Sequence, residues 1–386
     1  MSGLTPRISQ KSCMGALDPE AEQKPPFPNT AVSKSPAPRS RSKTIGNIFL
    51  FVLLAAWLGY RNCCLLPSLY HSLKVAAHLH LHTAEPTIPN QVHYVKLLRS
   101  PGSRAEFSFG FTDFLSVYAA WHYWRPHAIY LHTNAVEATI TGARDGYSGK
   151  WTKLMLQIPN LTVLQDQAPI TAENGVEIVS WQHKTEFVAV EAVRDMGGAY
   201  MGFDVFALRN IKSYLEEDTK FVAHSLGKGS ISHDFFMSSK GGAVVDAWAS
   251  QLGRTYSAGT ISPSDLILGE LTAKAMFEGP REIAVMGPTA FLSDKQNATT
   301  SLQLFQARDG QYRHRSNRHG CGNNDLSSQH FLQVNSPHKA KWTGTAFEPI
   351  TPQNLLERRS DFARALYPVT KALLDKGLIH PGSGKA

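Results

Sequence analysis

The chain has 386 residues, of which 42% are apolar and 18% charged, with a formal charge of +8. That is enough for one large α/β domain of roughly 250 residues plus appendages, and too apolar for a chain disordered throughout. The positive residues divide between an N-terminal tail and a late run at 313–319, with no basic stripe interleaved with aromatics, so composition argues against nucleic acid as a partner. Of Cys13, Cys63, Cys64 and Cys321 only the last lies in the main domain, which excludes an intradomain disulfide.

Residues 1–43 are rich in Pro, Ser, Lys and Arg and have no apolar periodicity, so they read as a disordered tail. An uncharged apolar run then extends from Ile45 to Tyr60 and is ended by Arg61. At roughly 1.5 Å rise per residue it reaches only about 24 Å, short of a bilayer core of about 30 Å. Continuation through Cys63, Cys64, Leu65 and Leu66 to Leu69 completes a span if Arg61 snorkels to the interface. Residues 44–69 are therefore expected to be one transmembrane signal anchor. A cleaved signal peptide does not suit so long a polar leader, and a buried core helix does not suit a run with no polar face. Arg7, Lys11, Lys24, Lys34, Arg39, Arg41 and Lys43 precede the run, against Arg61 and Lys74 just beyond it. The expected topology is single-pass type II, with the C-terminal bulk lumenal.

Residues 70–87 read as a stem. Its alternation of His78, His80 and His82 with leucines would place three imidazoles on one side of an extended segment, as metal ligands or as the polar side of an amphipathic stretch; no carboxylate or thiol completes a metal site. A domain follows over 88–370, with 371–386 as a C-terminal tail. Two glycosylation triplets, at Asn160 and Asn297, fit a lumenal domain.

Within the domain, strand and helix signals alternate. A strand is expected over Gln91–Leu98, a helix over Phe111–Trp124 stopped by Arg125-Pro126, then strands at Ala128–Thr133 and Leu161–Leu164. A helix from about Glu186 to Met196 ends at Gly197-Gly198 and leads into a strand over Ala199–Phe206. Further strands are expected at Lys220–His224, Ile231–Met237 and Glu282–Met286. This order implies a mostly parallel α/β sheet, whose ligands gather beyond the carboxyl ends of its strands.

The stretch from His183 to Leu208 carries the chemistry. It resembles the signature of the DXD-containing family 32 glycosyltransferases, in which a Ser-Asp-x-x-Arg helix start is followed by Gly-Gly-x-Tyr-x-Asp-x-Asp-Val at a strand end. The similarity runs more loosely from Ile88 to about Leu292, through the Ile231–Ser238 segment, the helix start at Ser262-Pro263-Ser264-Asp265 and the turn at Val285–Pro288. Taken singly, Gly197-Gly198 is an ordinary helix cap, Asp204 a turn residue, Asp234 a loop residue and Asp265 a helix N-terminal residue. Their joint order and spacing raise the functional reading.

In such a motif alternate residues of an extended segment face the same way, so two carboxylates converge where hard oxygen ligands suit Mn²⁺ or Mg²⁺. The cation neutralises the leaving diphosphate. Here the pair reads Gly202-Phe203-Asp204: the second Asp is kept and the first is lost. The helix-start positions fall on Thr185, Glu186 and Ala189, so the Asp becomes Glu and the Arg becomes Ala. The resemblance implies a GT-A-like fold and transfer of a hexose, with retention, from a UDP- or GDP-sugar to a glycan or glycolipid in the Golgi lumen. It implies Asp204 as metal ligand, with Thr185, Glu186, Gly198, Tyr200 and Asp204 on the donor side and Asp234 and Asp265 as catalytic candidates around the cleft. Arg194, one helical turn on, is a further donor-side candidate that the family pattern does not place there. The two losses also suit a catalytically weak or inactive paralogue that binds a glycan or a partner. The basic run Arg313–Cys321 is either a flap that supplies positive charge to a diphosphate or a solvated loop, with a His/Cys zinc site as a third reading.

Overall fold

The computed structural model describes residues 87–102, 105–216, 218–227, 230–259, 262–279, 282–293, 304–305, 326–334 and 350–384. The tail, the expected membrane span, nearly all of the stem, the Asn297 triplet, the basic run at 313–319 and Cys321 lie outside the described residues. Among the described residues no helix is long and apolar enough to cross a membrane.

In chain order the elements are β1 (Gln91–Val95), α1 (Phe111–Trp124), β2 (Ala128–Thr133), α2 (Glu137–Asp145), α3 (Lys150–Leu156), β3 (Leu161–Gln165), α4 (Trp181–Met196), β4 (Gly198–Met201), β5 (Val205–Ala207) and α5 (Lys212–Glu216). They continue with β6 (Phe221–Gly227), β7 (Ser230–Ser238), α6 (Ala243–Thr255), α7 (Pro263–Glu278), β8 (Ile283–Met286), β9 (Phe291–Ser293), β10 (Phe331–Gln333), α8 (Pro352–Glu357) and α9 (Asp361–Asp375).

The main sheet has the order β3-β2-β1-β4-β7-β6-β8, and β5-β10-β9 form a second, small sheet. In the main sheet the β3/β2, β2/β1, β1/β4 and β6/β8 pairs are parallel, and only β7 runs against its neighbours β4 and β6. The unit is thus mixed α/β with a mostly parallel sheet. Both faces are covered, which is why β1 is buried along its whole length. On one face Val92, Tyr94, Met201, Phe235 and Met237 pack with α1 and α9; on the other Tyr200, Phe221 and Phe236 pack with α4, α6 and α7. The side-chain alternation of a strand assigns these faces, as Phe235 and Phe236 of β7 illustrate.

Helix α1 matches its expected bounds. Asp113 accepts a hydrogen bond from the Gly110 N–H at 2.9 Å at its start, and Arg125, in the left-handed region at φ 49° before Pro126, ends it. Two expectations are corrected. The strand expected over Ala199–Phe206 is two strands in two sheets, broken by a turn at 202–204. The expected C-terminal tail at 371–386 begins inside α9, and Leu373 and Ile379 are fully buried in the main core, so residues 371–384 belong to the domain.

The junction of α4 with the sheet explains Gly197-Gly198. Gln91 of β1 donates through Nε2 to the Met196 carbonyl at 2.7 Å and the Gly197 carbonyl at 3.0 Å, capping the end of the helix. A Cβ on Gly198, whose φ is +97°, would stand 2.5 Å from Gln91 Cγ and 2.6 Å from its carbonyl oxygen. Only glycine allows that approach.

Beside it runs a buried polar chain. His93 Nε2 lies 2.8 Å from the Gly197 carbonyl, His93 Nδ1 is 2.9 Å from His132 Nε2, and His132 Nδ1 is 2.6 Å from Asp166 Oδ2. The carbonyl can only accept, so His93 carries its proton on Nε2 and accepts at Nδ1. Burial, then the neighbouring His132, lower the His93 pKa from 6.5 to about 3, against the opposing pull of the Gly197 carbonyl and Asp166. The unfolded chain takes up a proton there below about pH 6.5, which the folded chain refuses until near pH 3. This contribution to stability is therefore full above pH 6.5 and is lost as pH falls towards 3. Urea unfolding of the wild type should weaken across that window by at most about 1.4 kcal/mol per pH unit from this residue. His93→Gln should show a shallower dependence, and identical slopes would contradict the assignment.

Candidate active site

Strand β4 occupies the middle of the main sheet, and the chain leaves its carboxyl end through a tight turn. The Gly202 N–H donates to the Asp234 carbonyl at 2.9 Å and the Val205 N–H to the Gly202 carbonyl at 3.1 Å, which closes Gly202-Phe203-Asp204-Val205 into a turn. Phe203 points into the core, its ring centroid 5.1 Å from Tyr94 and 5.5 Å from Phe109. From there β5 enters the small sheet, held by Ser116 Oγ donating to the Val205 carbonyl at 2.6 Å.

The Asp204 and Asp234 carboxylates share one donor. Gln333 Nε2 lies 2.9 Å from Asp234 Oδ2 and 3.3 Å from Asp204 Oδ2, while Gln333 Oε1 accepts from Ser293 Oγ at 2.9 Å. Gln333 and Ser293 are in register across β10 and β9, and both are buried. The side chain of Asp234 keeps 19% exposure, so part of its carboxylate faces solvent.

Next to this pair stands Glu186, in the first half of α4 and only 4% exposed. Ser262, the residue before α7, gives its hydroxyl to Glu186 Oε1 instead of capping its own helix. His233 Nε2 lies 3.0 Å from the same oxygen and 3.7 Å from Asp234 Oδ1, which links the two carboxylates. Glu186 Oε2 is buried and takes no hydrogen bond from the described residues. Tyr200 sits among the three acids: burial first, then the charges of Asp234, Asp204 and Glu186, push its hydroxyl well above the usual phenol range, so it stays protonated. Glu186 likewise raises Tyr256, second to burial.

Of the residues singled out in the sequence, Glu186, Tyr200, Asp204 and Asp234 thus come together. Asp265 lies in the first turn of α7, whose preceding residue Ser262 touches Glu186. The other three are placed elsewhere or spent locally. Thr185 gives its hydroxyl to the Trp181 carbonyl of its own helix at 3.0 Å. Arg194 is in the last turn of α4, two helical turns beyond Glu186, and pairs with Glu191 and with Asp195 at 2.9 Å. Gly198 opens β4 at the opposite edge of the sheet from Asp204 and answers the packing demand of Gln91. The sequence reading missed His233, Ser262 as a contact, and Gln333. His233 adjoins Asp234 in the Ser232-His233-Asp234 run, which was a usable signal; Gln333 sits in a three-residue strand with no signal of its own.

The residues are a poor match for the cation that the motif implies. A Cβ on Gly202 would stand 2.6 Å from Asp204 Oδ1, so a side chain there requires the Asp204 carboxylate to turn aside. The amide of Gln333 occupies the gap between Asp204 and Asp234, and among the described residues no three His, Cys, Asp or Glu side chains converge as a metal site. Asp204 and Asp234 could supply the one or two carboxylates such a cation takes beside a donor's phosphates only if the Gln333 amide moved out of the gap. At the position of the family arginine, Ala189 is 1% exposed within the α4 core and leaves a guanidinium no room.

No family model and no curated protein matches the chain. Solved structures to which it is similar include glycosyltransferases. PaToxG glycosyltransferase matches at 11% identity and TM-score 0.36 over 51% of this chain and 70% of that one. The apo form of glycosyltransferase GlyE from Streptococcus pneumoniae TIGR4 matches at 10% identity and TM-score 0.37 over 76% of this chain and 65% of that one. Mouse xyloside xylosyltransferase 1 matches at 10% identity and TM-score 0.31 over 53% of this chain and 88% of that one. At such scores the likeness carries no argument about chemistry, which must come from the site.

The crowding at Gly202 is directly testable. Gly202→Ala should lower stability by about 1–3 kcal/mol by driving the Asp204 carboxylate from Gln333. Gly202→Asp should cost more, because it adds a like charge beside Asp204. Thermal unfolding checks this, and an unchanged or raised Tm for Gly202→Asp would contradict the geometry.

Proposed function

We propose that this chain is a GT-A-like glycosyltransferase that passes a hexose from a UDP- or GDP-sugar to a hydroxyl of a glycan or glycolipid. The observation that carries the reading is the convergence of Glu186, Tyr200, Asp204 and Asp234 just beyond the carboxyl end of the central strand, where ligands of parallel sheets collect. Three carboxylates in a partly dry site are strong acceptors, and hydroxyl groups of a sugar are their natural donors. Glu186, held by Ser262 and His233, has one oxygen left to accept such a hydroxyl. Asp234, whose side chain is more exposed than that of Glu186, suits the proton-accepting role as the acceptor hydroxyl attacks. Placement in the Golgi membrane, single-pass with the domain lumenal, belongs to the same proposal and is supported by the apolar run at 45–60 and its basic flank.

A second reading is a paralogue that binds a glycan or a partner without turnover. It is favoured by Gly202, which leaves the motif one carboxylate short, and by the buried Ala189 where the family has an arginine. Transfer and hydrolysis assays of the detergent-solubilised full chain against a panel of UDP- and GDP-sugars separate the two. The enzyme reading expects turnover with one donor, reduced about a hundredfold or more in Asp234→Asn, within the usual range for a lost general base. Sugar binding with no turnover from any donor would select the second reading.

A further inference from the structure

Gln333 touches both Asp204 and Asp234, and its orientation is fixed from two sides. Turned over, its carbonyl oxygen would face two carboxylates; as it stands, Nε2 faces them at 2.9 and 3.3 Å, and Oε1 takes the Ser293 hydroxyl at 2.9 Å. The residue is fully buried in β10, paired with Val205 of β5 and with Ser293 of β9. The amide group is therefore built into the small sheet.

We propose that Gln333 is a positioning residue that stands where a divalent cation would bridge Asp204 and Asp234, and that this chain binds its sugar donor without a metal ion. A cation held by both carboxylates needs oxygen contacts of about 2.0–2.6 Å. To sit there it would have to displace an amide nitrogen that already occupies the gap and offers no lone pair for coordination. Position 202 offers no side-chain ligand, since it is glycine. The two N–H groups of the amide do a smaller version of the cation's work: they hold the Asp204 and Asp234 carboxylates close to each other. The donor-binding half of this inference rests on the function proposed above; the metal half does not.

The test uses the full chain in detergent, with Mn²⁺ alone as the first probe. Electron paramagnetic resonance of Mn²⁺ up to about 1 mM, the weak end of protein divalent sites, should show no ion bound at this site in the wild type. Gln333→Glu, which puts a third carboxylate between the two, should bind Mn²⁺ at least tenfold more tightly. Circular dichroism confirms that the variant folds; if it does not, the wild-type titration still decides. A wild-type Mn²⁺ signal that disappears in Asp204→Asn would overturn the proposal. In the second arm, calorimetry with UDP- and GDP-sugars should give the same Kd in EDTA and in Mn²⁺, and a tenfold or greater loss in EDTA would overturn it. Absence of donor binding in both buffers would count against the glycosyltransferase reading, with the Mn²⁺ titration left to decide the role of Gln333.

Discussion

The geometry of the candidate site follows from one constraint: the chain must leave the middle of the main sheet and enter the small sheet within three residues. The Gly202 N–H is held by the Asp234 carbonyl, Phe203 is drawn into the core by Tyr94 and Phe109, and Asp204 is left facing outward. With β7 antiparallel to β4, the start of β7 lies beside the end of β4 and brings His233 and Asp234 to the same edge. The second sheet then closes over the turn, with the Val334 N–H donating to the Asp204 carbonyl at 3.0 Å and Gln333 reaching both acids. A side chain at 202 would push on the Asp204 carboxylate and so on its contact with Gln333.

The electrostatic character follows from who neutralises whom. Among the described residues, the Ser262 hydroxyl donates to Glu186, the Gln333 amide to Asp204 and Asp234, and the His233 imidazole lies close to Glu186. Arg194, the nearest guanidinium in the motif, is committed to Glu191 and Asp195 at the far end of its helix. A site of this kind presents acceptors to its ligand and is matched by a polyhydroxyl compound. Neutral hydrogen-bond donors also leave the acids free to exchange partners, since a bond between neutral donor and carboxylate is weaker than a metal–oxygen contact. The preorganisation therefore resides in the small sheet and in the Ser262 contact that spends a helix cap on Glu186.

Much of the scaffold was legible in the sequence. The strands at 91–95, 128–133 and 161–165 and the helix at 111–124 follow from apolar runs bounded by Gly and Pro, signals that local physics supplies. The site was half legible. Glu186, Tyr200 and Asp204 could be named from the motif and Asp234 from the looser similarity beyond it, whereas Gly198 of the motif and Arg194 within the same stretch answer other demands: Arg194 ion pairing at a helix end, Gly198 backbone packing on Gln91. Sequence order cannot show which end of a helix meets a cleft. Nor could it show Gln333, which becomes part of the site only through pairing of three-residue strands far apart in the chain. The end of the domain was misplaced for a related reason: Leu373 and Ile379 read as part of a short polar terminus until the packing of α9 is seen.

The central claim is that the edge formed by the β4–β5 turn, the start of β7 and β10 receives a nucleotide-linked sugar. Hydrogen–deuterium exchange of the full chain with and without a panel of UDP- and GDP-sugars tests it most directly, because backbone protection reports where a ligand sits whether or not turnover follows. The account predicts slowed exchange at 201–205, 231–235 and 331–334 with at least one donor. Slowed exchange confined to the opposite edge of the sheet, around Phe221 and Ile283, would contradict it.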